Sequence, residues 1–451
     1  MKEGDVVRPI NREIRGRMML LVTTSIVCRS CQKLKGNLVI MYDWDYFENV
    51  PEYHPIADAN NLLEAFRKAK KGSHWKAQVQ RFRWNLLLEI RKLQIELDHY
   101  MKDELGAYEL SPYSKFLVNE RGKVRAITAL CVRDRVVKHT LNDVYLLPHI
   151  RPYLIYDNGA SLERKGVSFT RKRLVVHLES FFRETGSNDG YIITMDFSGY
   201  YDNIDHNEAM EMINTYEPDE FARKLVWQAY DSYKIDVSYM SDEEYDVAKS
   251  SKFNTVEYRK ENHSEEELCG EKFLNKSLSV GDQTSQITAI TFPTPIDNLV
   301  KIVNGCKYYA RYMDDLYVIV KTRQEAVDLM NQITEKAKEL KIIINPKKTK
   351  IIKINRSFIF LQFKYYLTDG GHVVVRINPK TVTRMHRKLK KLKAKYLAGE
   401  VRFIKIKSLF QSWIANYSKY MSKEQIKHMV ELYQELFGGG LDQWMKEKNI
   451  I

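Results

Sequence analysis

The apolar positions of this chain change period several times, and each change predicts an element. From Asp58 onward, Leu62, Leu63, Phe66 and Ala69 gather on one side of a helix that Asp58 or Asn60 caps and that Arg67, Lys68, Lys70 and Lys71 close before Gly72. A second, longer helix is expected from the spacing of Val79, Phe82, Leu86, Ile90, Leu93 and Leu97. Between Tyr113 and Val137 the period shortens. Phe116, Val118, a turn at Arg121 and Gly122, then Val124 and Ile127 predict a β-hairpin whose return strand carries Lys123 and Arg125 on one face. Val132 to Leu147 reads as a helix stopped near Pro148.

Tyr191 to Phe197 is a continuous β-rich run, and a helix begins around His206 or Asn207. Residues 233–277 are charged and lack a clear period, which predicts an insertion or mobile surface element. Gly281 to Gln286 leads into an apolar stretch interrupted by Pro293 and Pro295; it serves either as a loop ending in a Ser285 helix cap or as a place where backbone approaches a ligand. A helix is expected from Gln324 to Leu340, followed by strands at Ile342–Ile344, Ile351–Ile354 and Phe358–Phe363. The end of the chain is helical. Met385, Leu389, Leu392 and Tyr396 form an apolar seam there, while eight of the twelve residues from Arg384 to Lys395 are Lys, Arg or His and none is acidic. A solvated face is the ordinary meaning of such a run, but the missing acids favour contact with a phosphate backbone.

The organising stretch is Tyr308 to Val320, where two β-rich runs flank Met313-Asp314-Asp315. As a bare pattern this is a hairpin with a solvated acidic turn. A divalent-metal site needs a third carboxylate, and Asp196, ending a buried strand beside Ser198 and Gly199, is the candidate.

Composition narrows the classes. The 451 residues are 44% hydrophobic and 29% charged, so the chain is globular rather than collagen-like or disordered. Its net charge of +14 argues for a polyanionic partner, with nucleic acid ahead of a membrane surface. Five scattered cysteines fit a reducing cytosol, hence a cytoplasmic protein, and the isolated Cys28–Cys31 pair is more readily structural or incidental than a zinc or redox site. Arg15 and Arg17 before the apolar run Met18 to Val27 imitate a secretory or lipoprotein signal, but Val27 is the wrong size for a cleavage site, so a strand or short buried segment is expected. No run is long enough for a membrane span.

In their order, these motifs resemble bacterial reverse transcriptases over roughly residues 58–420. Asp196-Phe197-Ser198-Gly199-Tyr200-Tyr201-Asp202 is similar to the first catalytic motif, Gly281 to Gln286 with Asp297 to the second, and Tyr312-Met313-Asp314-Asp315 to the third. The resemblance implies an α/β (α+β) right-hand polymerase fold with a 1–57 N-terminal extension, fingers at 58–185, a palm at 186–365 holding the 233–277 insertion, and a helical thumb at 366–451. It implies RNA-directed DNA synthesis from an RNA template, a DNA or RNA primer and dNTPs, with two Mg²⁺ ions, or Mn²⁺ in their place. Asp196, Asp314 and Asp315 become the catalytic carboxylates and, with Phe197, the metal-binding positions; Asp315 is the more peripheral.

By the same resemblance Lys123 and Arg125 grip the triphosphate, although a basic edge strand blunted against aggregation is an equal reading of those two residues alone. Tyr201 crowds the sugar 2′ position and Gln286 also lies at the nucleotide. Lys348, or alternatively Lys347, protonates pyrophosphate; Phe360 to Phe363 forms the primer grip, with Gln362 where glycine is usual. Ser285, Arg384, Arg387, Lys388, Lys391 and Lys395 are the nucleic-acid contacts. Val280 and Gln286 depart from the intron-encoded pattern, and the Ser285-Gln286 form resembles the enzymes of diversity-generating elements and phage defence, which brings in a dedicated non-coding RNA or accessory protein, or synthesis without a template, as the alternative. No RNase H or endonuclease domain is expected after the thumb. The alternative from another class is a catalytically silent nucleic-acid-binding protein, against which the three acids count.

Overall fold

The computed structural model describes residues 53–439, apart from 121 and 262, and residue 445. The chain divides into two units, Met1–His54 and Pro55–Ile451. The Cys28–Cys31 pair and the apolar run from Met18 lie outside the described residues.

Eleven strands occur among the described residues, and the two that carry Asp196 and Asp315 are buried along nearly their whole length. A hairpin comes first: β1 (Ser114–Glu120) pairs antiparallel with β2 (Lys123–Ala129), as the shortened period predicts. Then come β3 (Tyr191–Asp196), the short β4 (Ile235–Asp236) and β5 (Phe273–Leu274), β6 (Tyr309–Tyr312), β7 (Asp315–Val320) and β8 (Lys350–Lys353). The last three, β9 (Phe358–Phe360), β10 (Phe363–Leu367) and β11 (Val373–Ile377), form a separate sheet. The central sheet runs β6-β7-β3-β8, antiparallel throughout.

The β-branched and aromatic residues of β3 and β7 favour strands, and their near-continuous burial requires cover on both faces. Ile192, Tyr317 and Ile319 pack in one core with Leu174, Leu178 and Phe181 of the helix Val167–Thr185 and with Phe358, Phe360 and Tyr365 of the second sheet. At the chain's end, Met385, Leu389, Ile406, Phe410, Ile414 and Met429 make a separate core among the helices Pro379–Leu397, Phe403–Tyr417 and Lys423–Phe437. Among the described residues, no helix is long and apolar enough to cross a membrane.

Several expectations are corrected. The long helix through Val79 and Leu97 is two, Ala77–Trp84 and Leu86–Lys102, because Asn85 leaves helical geometry at φ −107° and ψ 27°. The helix from Val132 does not stop at Pro148. It widens into a π-helical segment over Asn142–Leu146, which changes the hydrogen-bond spacing ahead of the proline, and continues through Leu147–Ile150.

Residues 233–277 are folded. Ser241 and Glu244 build a capping box for the helix Asp242–Ser250, Asn254 caps Thr255–Tyr258, and Ile235, Val237, Phe253 and Leu274 close a small core. Elements so short leave no readable period. Ile342–Ile344 is no strand, only a single bridge from Ile344 to Phe197. Phe358–Phe363 is two strands joined at Leu361 and Gln362, both with positive φ (41° and 70°), the signs a type I′ hairpin turn requires. Tyr396 is 40% exposed instead of completing the seam, while Met385 and Leu389 are buried as expected.

Candidate active site

The acids are brought together by register. Tyr312 pairs with Asp315 around a two-residue loop, and Met313 takes φ 55°, the sign a type II′ turn needs at its first position. Asp315 lies opposite Asp196 across the β3–β7 ladder, and the Phe197 amide donates to the Asp314 carbonyl at 3.1 Å. The end of β3 and the β6–β7 turn thereby form one corner.

Asp196 is 3% exposed, so its charge requires partners. Lys348 Nζ donates to Oδ2 at 2.6 Å, Asn345 Nδ2 donates to Oδ1 at 2.9 Å, and the Asn345 amide donates to the Asp196 carbonyl at 2.8 Å. Burial lowers the Lys348 ammonium, but the bond to Asp196 outweighs it and the group is held above its ordinary value. Asp314 is pushed up by burial and then by the Asp196 charge. Burial, then Asp314 and Asp196, push Asp315 up to about 7, against the opposing charges of Lys348 and Lys123. Two carboxylates held up by burial and by the acid charges beside them are what a bound cation would relieve.

Among the described residues no three His, Cys, Asp or Glu side chains close into a metal cage. The donors at this corner are all hard oxygens: three carboxylates, with the Phe197 carbonyl adjacent in sequence. That set fits Mg²⁺, which binds through one or two carboxylates and completes its shell with water and substrate phosphate.

Behind the turn, Arg311 is fully buried and forms a bidentate pair with Asp297, while its Nη1 donates to the Met313 carbonyl at 3.2 Å. In front lies a cleft of about 870 Å³, lined among others by Lys123, Arg125, Asp196, Phe197, Tyr201, Gln286, Asp314 and Lys348. Lys123 and Arg125 are exposed on β2, and Arg125 reaches back to Glu120 at 3.4 Å. Tyr201 points its hydroxyl at Met313 Sδ, 3.9 Å away, and Gln286 accepts from Ser161 Oγ at 3.3 Å.

Ser285 is not at the cleft. It is fully buried and is not the cap: Asp282 caps the helix Gln283–Thr291 by accepting from the Ser285 amide, so Ser285 faces the interior and a nucleic-acid contact through its side chain is ruled out in this conformation. Lys347 is exposed and outside the cleft lining, whereas Lys348 is on Asp196. Arg384, Arg387, Lys388, Lys391 and Lys395 are exposed on the helix Pro379–Leu397, apart from the acids; Lys395 pairs with Glu400 at 2.9 Å and Arg384 bonds Lys380 and Thr381 of its own helix.

The sequence pattern singles out none of Asn345, Arg311, Ser161 and Lys252 as site residues. A lone arginine within the otherwise apolar and aromatic Tyr308–Tyr312 was a readable signal for a buried ion pair. Ser161 and Lys252 become visible only when distant segments meet at the cleft.

Residues 117–401 match the family model described as reverse transcriptase (RNA-dependent DNA polymerase). The chain is also similar to Protein YkfC of Escherichia coli (strain K12), with 23% identity over 306 residues, covering 63% of this chain and 72% of the relative.

Proposed function

Because the chain belongs to the reverse transcriptase family, whose members are RNA-dependent DNA polymerases, we propose that it copies RNA by two-metal nucleotidyl transfer at Asp196, Asp314 and Asp315. As a nucleotidyltransferase it takes a nucleic-acid template, a primer and nucleotides. The observation that carries the mechanism is the corner itself: Asp196 and Asp315 in register, Asp314 next to Asp315 on the β6–β7 turn, and Lys348 on Asp196. On this reading residues 58–185 act as fingers, 186–365 as palm and 366–451 as thumb.

Asp196, Asp314 and Asp315, with the Phe197 carbonyl, would hold two Mg²⁺ ions, with Mn²⁺ able to replace them. Bound there, they would lower the pKa of the primer 3′-hydroxyl and steady the leaving pyrophosphate. The primer 3′-oxygen releases its proton to solvent and bonds to the α-phosphorus of the dNTP as the bond to the β-phosphate breaks. Asn345 fixes the Asp196 carboxylate, and Arg311 fixes the Met313 carbonyl and so the turn. Lys123 and Arg125 face the triphosphate, Tyr201 crowds the 2′ position, Gln286 borders the nucleotide, and Lys348 gives a proton to pyrophosphate.

The relative in Escherichia coli supports a bacterial type, and the Ser285-Gln286 form of the second motif favours a diversity-generating or antiviral-defence role with a dedicated RNA as template. Purified protein given an RNA template, a DNA primer, dNTPs and Mg²⁺ makes cDNA on this reading. Replacing Asp314 and Asp315 together with Ala abolishes it; unchanged synthesis by that variant sinks the mechanism. Sequencing the cDNA made in cells with and without a co-expressed candidate RNA tests the template.

A further inference from the structure

One wall of the cleft comes from an unexpected part of the chain. Lys252, Asn254 and Val256 of the 233–277 insertion line it together with Lys123 and Asp196. The insertion is seated by polar bonds, not by chance proximity. Asn203 clasps the Phe253 backbone from both sides: Nδ2 donates to the carbonyl at 3.2 Å, and Oδ1 accepts from the amide at 2.7 Å. Thr255 Oγ1 donates to Asp202 Oδ1 at 2.9 Å. Phe253 is itself buried in the core of the insertion, so the residue before it is held on the loop that follows Asp196.

Lys252 is exposed, and its stem crosses Gly199: a Cβ at 199 would lie 2.8 Å from Lys252 Cε, and Gly199 has φ 57°. Glycine there serves both the left-handed turn and the passage of the lysine. Lys252, Lys123 and Asp202 all line this one cleft beside the candidate catalytic loop. From the same insertion, Arg259 donates to the Ile127 carbonyl at 2.7 Å and to Thr128 Oγ1 at 2.6 Å on β2. It thereby anchors the strand that carries Lys123 and Arg125.

We propose that Lys252 contacts the phosphates of the incoming nucleoside triphosphate, as a third cation beside Lys123 and Arg125. The inference rests on the polymerase reading of this cleft. A triphosphate is the densest anion in the reaction, and a lysine ammonium at the end of a flexible stem recognises it as a point charge. The insertion then both adds a cation to the nucleotide site and positions the hairpin bearing the other two.

The test uses the full chain with a poly(rA)–oligo(dT) template-primer, dTTP and Mg²⁺, together with equilibrium binding of dTTP and dTMP to the same proteins. Lys252→Ala raises the KM for dTTP roughly tenfold with little change in kcat, the loss of one charge-assisted contact, and Lys252→Arg restores most of it. Lys249→Ala removes the same charge from the same insertion, at a residue packed over Tyr245 and outside the cleft lining, and leaves both constants unchanged. In binding, Lys252→Ala narrows the preference for dTTP over dTMP by a similar factor. An unchanged KM and binding preference, an equal effect at Lys249, or a rise confined to the KM for template-primer overturns the assignment. Wild-type protein that makes no DNA yet keeps a Lys252-dependent preference for dTTP counts against the polymerase reading and supports the nucleotide contact. DNA synthesis without Lys252 dependence overturns the contact alone.

Discussion

Arg311 and Asp297, both fully buried, form two parallel hydrogen bonds, Nε to Oδ1 at 2.9 Å and Nη2 to Oδ2 at 2.6 Å. Two of the three remaining guanidinium N–H groups donate to the carbonyls of Ile290 and Met313, and Tyr309 donates its hydroxyl to Asp297 Oδ1. A buried pair adds little stability over a well-packed apolar pair, but removing one partner strands the other charge. Asp297→Ala is therefore expected to cost about 3–5 kcal/mol, read from urea midpoints. Asp297→Leu with Arg311→Met recovers much of that stability while DNA synthesis stays low, because the Met313 carbonyl has lost its donor. If the double variant regains activity along with stability, the brace on the turn has no part in the chemistry.

Two adjacent lysines offered the same proton-donor role, and the geometry separates them. Lys348 bonds Asp196 at 2.6 Å, whereas Lys347 is exposed and contributes only its backbone amide, which donates to Asn345 Oδ1 at 3.2 Å. Loss of a general acid typically costs on the order of 10²–10⁴ in rate. Single-nucleotide incorporation by Lys348→Ala is expected to fall within that range, and Lys347→Ala to stay within about twofold of wild type. Equal loss in the two variants would count against the assignment.

Much of the site was legible because its signals are local. Asp196 ends an apolar run and Asp314 and Asp315 punctuate another, so strand propensity alone placed each acid at a strand end. What stayed hidden depends on distant packing. Ser285 reads as a helix cap in isolation, yet Asp282 three residues earlier takes that role and buries it. The charged 233–277 stretch reads as a surface element because its helices are too short to show a period, and its Lys252 gains meaning only once Asn203 grips Phe253. Leu361 and Gln362 defeat propensity outright, since neither favours the positive φ that the hairpin imposes.

Acid stability should report on Asp157, whose backbone also bonds β6: the Arg311 amide donates to the Asp157 carbonyl at 3.2 Å. The residue is 3% exposed, and its carboxylate accepts from Arg173 at 2.5 Å and Lys301 at 3.2 Å. Burial alone would raise its carboxyl, but the bonds and charges of His177 and Arg173 outweigh it and hold the group well below the usual carboxylate range. In the unfolded chain it titrates at roughly 3.9. Between the folded and unfolded values the unfolded chain binds the extra proton, so this contribution is complete above about pH 4 and is lost as pH falls toward the folded value. Asp157→Asn should therefore be less stable than wild type at pH 7, and the gap in urea midpoint should narrow toward pH 3. A gap constant across that range would show that the carboxylate charge contributes nothing.

Salt dependence separates the two meanings of the basic helix Pro379–Leu397. Of the five basic side chains assigned to nucleic-acid contact, Lys395 pairs with Glu400 and the Arg384 guanidinium bonds Lys380 and Thr381, which leaves Arg387, Lys388 and Lys391, all exposed, as the strongest candidates for phosphate contact. Each phosphate neutralised releases a counterion, worth about 0.7–0.9 in the slope of log K against log salt. Replacing those three with Ala should flatten the slope for an RNA–DNA duplex by roughly 2–3 and weaken binding alike across duplex sequences, measured by fluorescence anisotropy over a salt series. Their low-salt affinity should fall most, because that is where released counterions favour binding most strongly. A solvated face gives an unchanged slope. A steeper loss for one sequence than another would instead place these side chains at base edges, a role that phosphate contacts do not have.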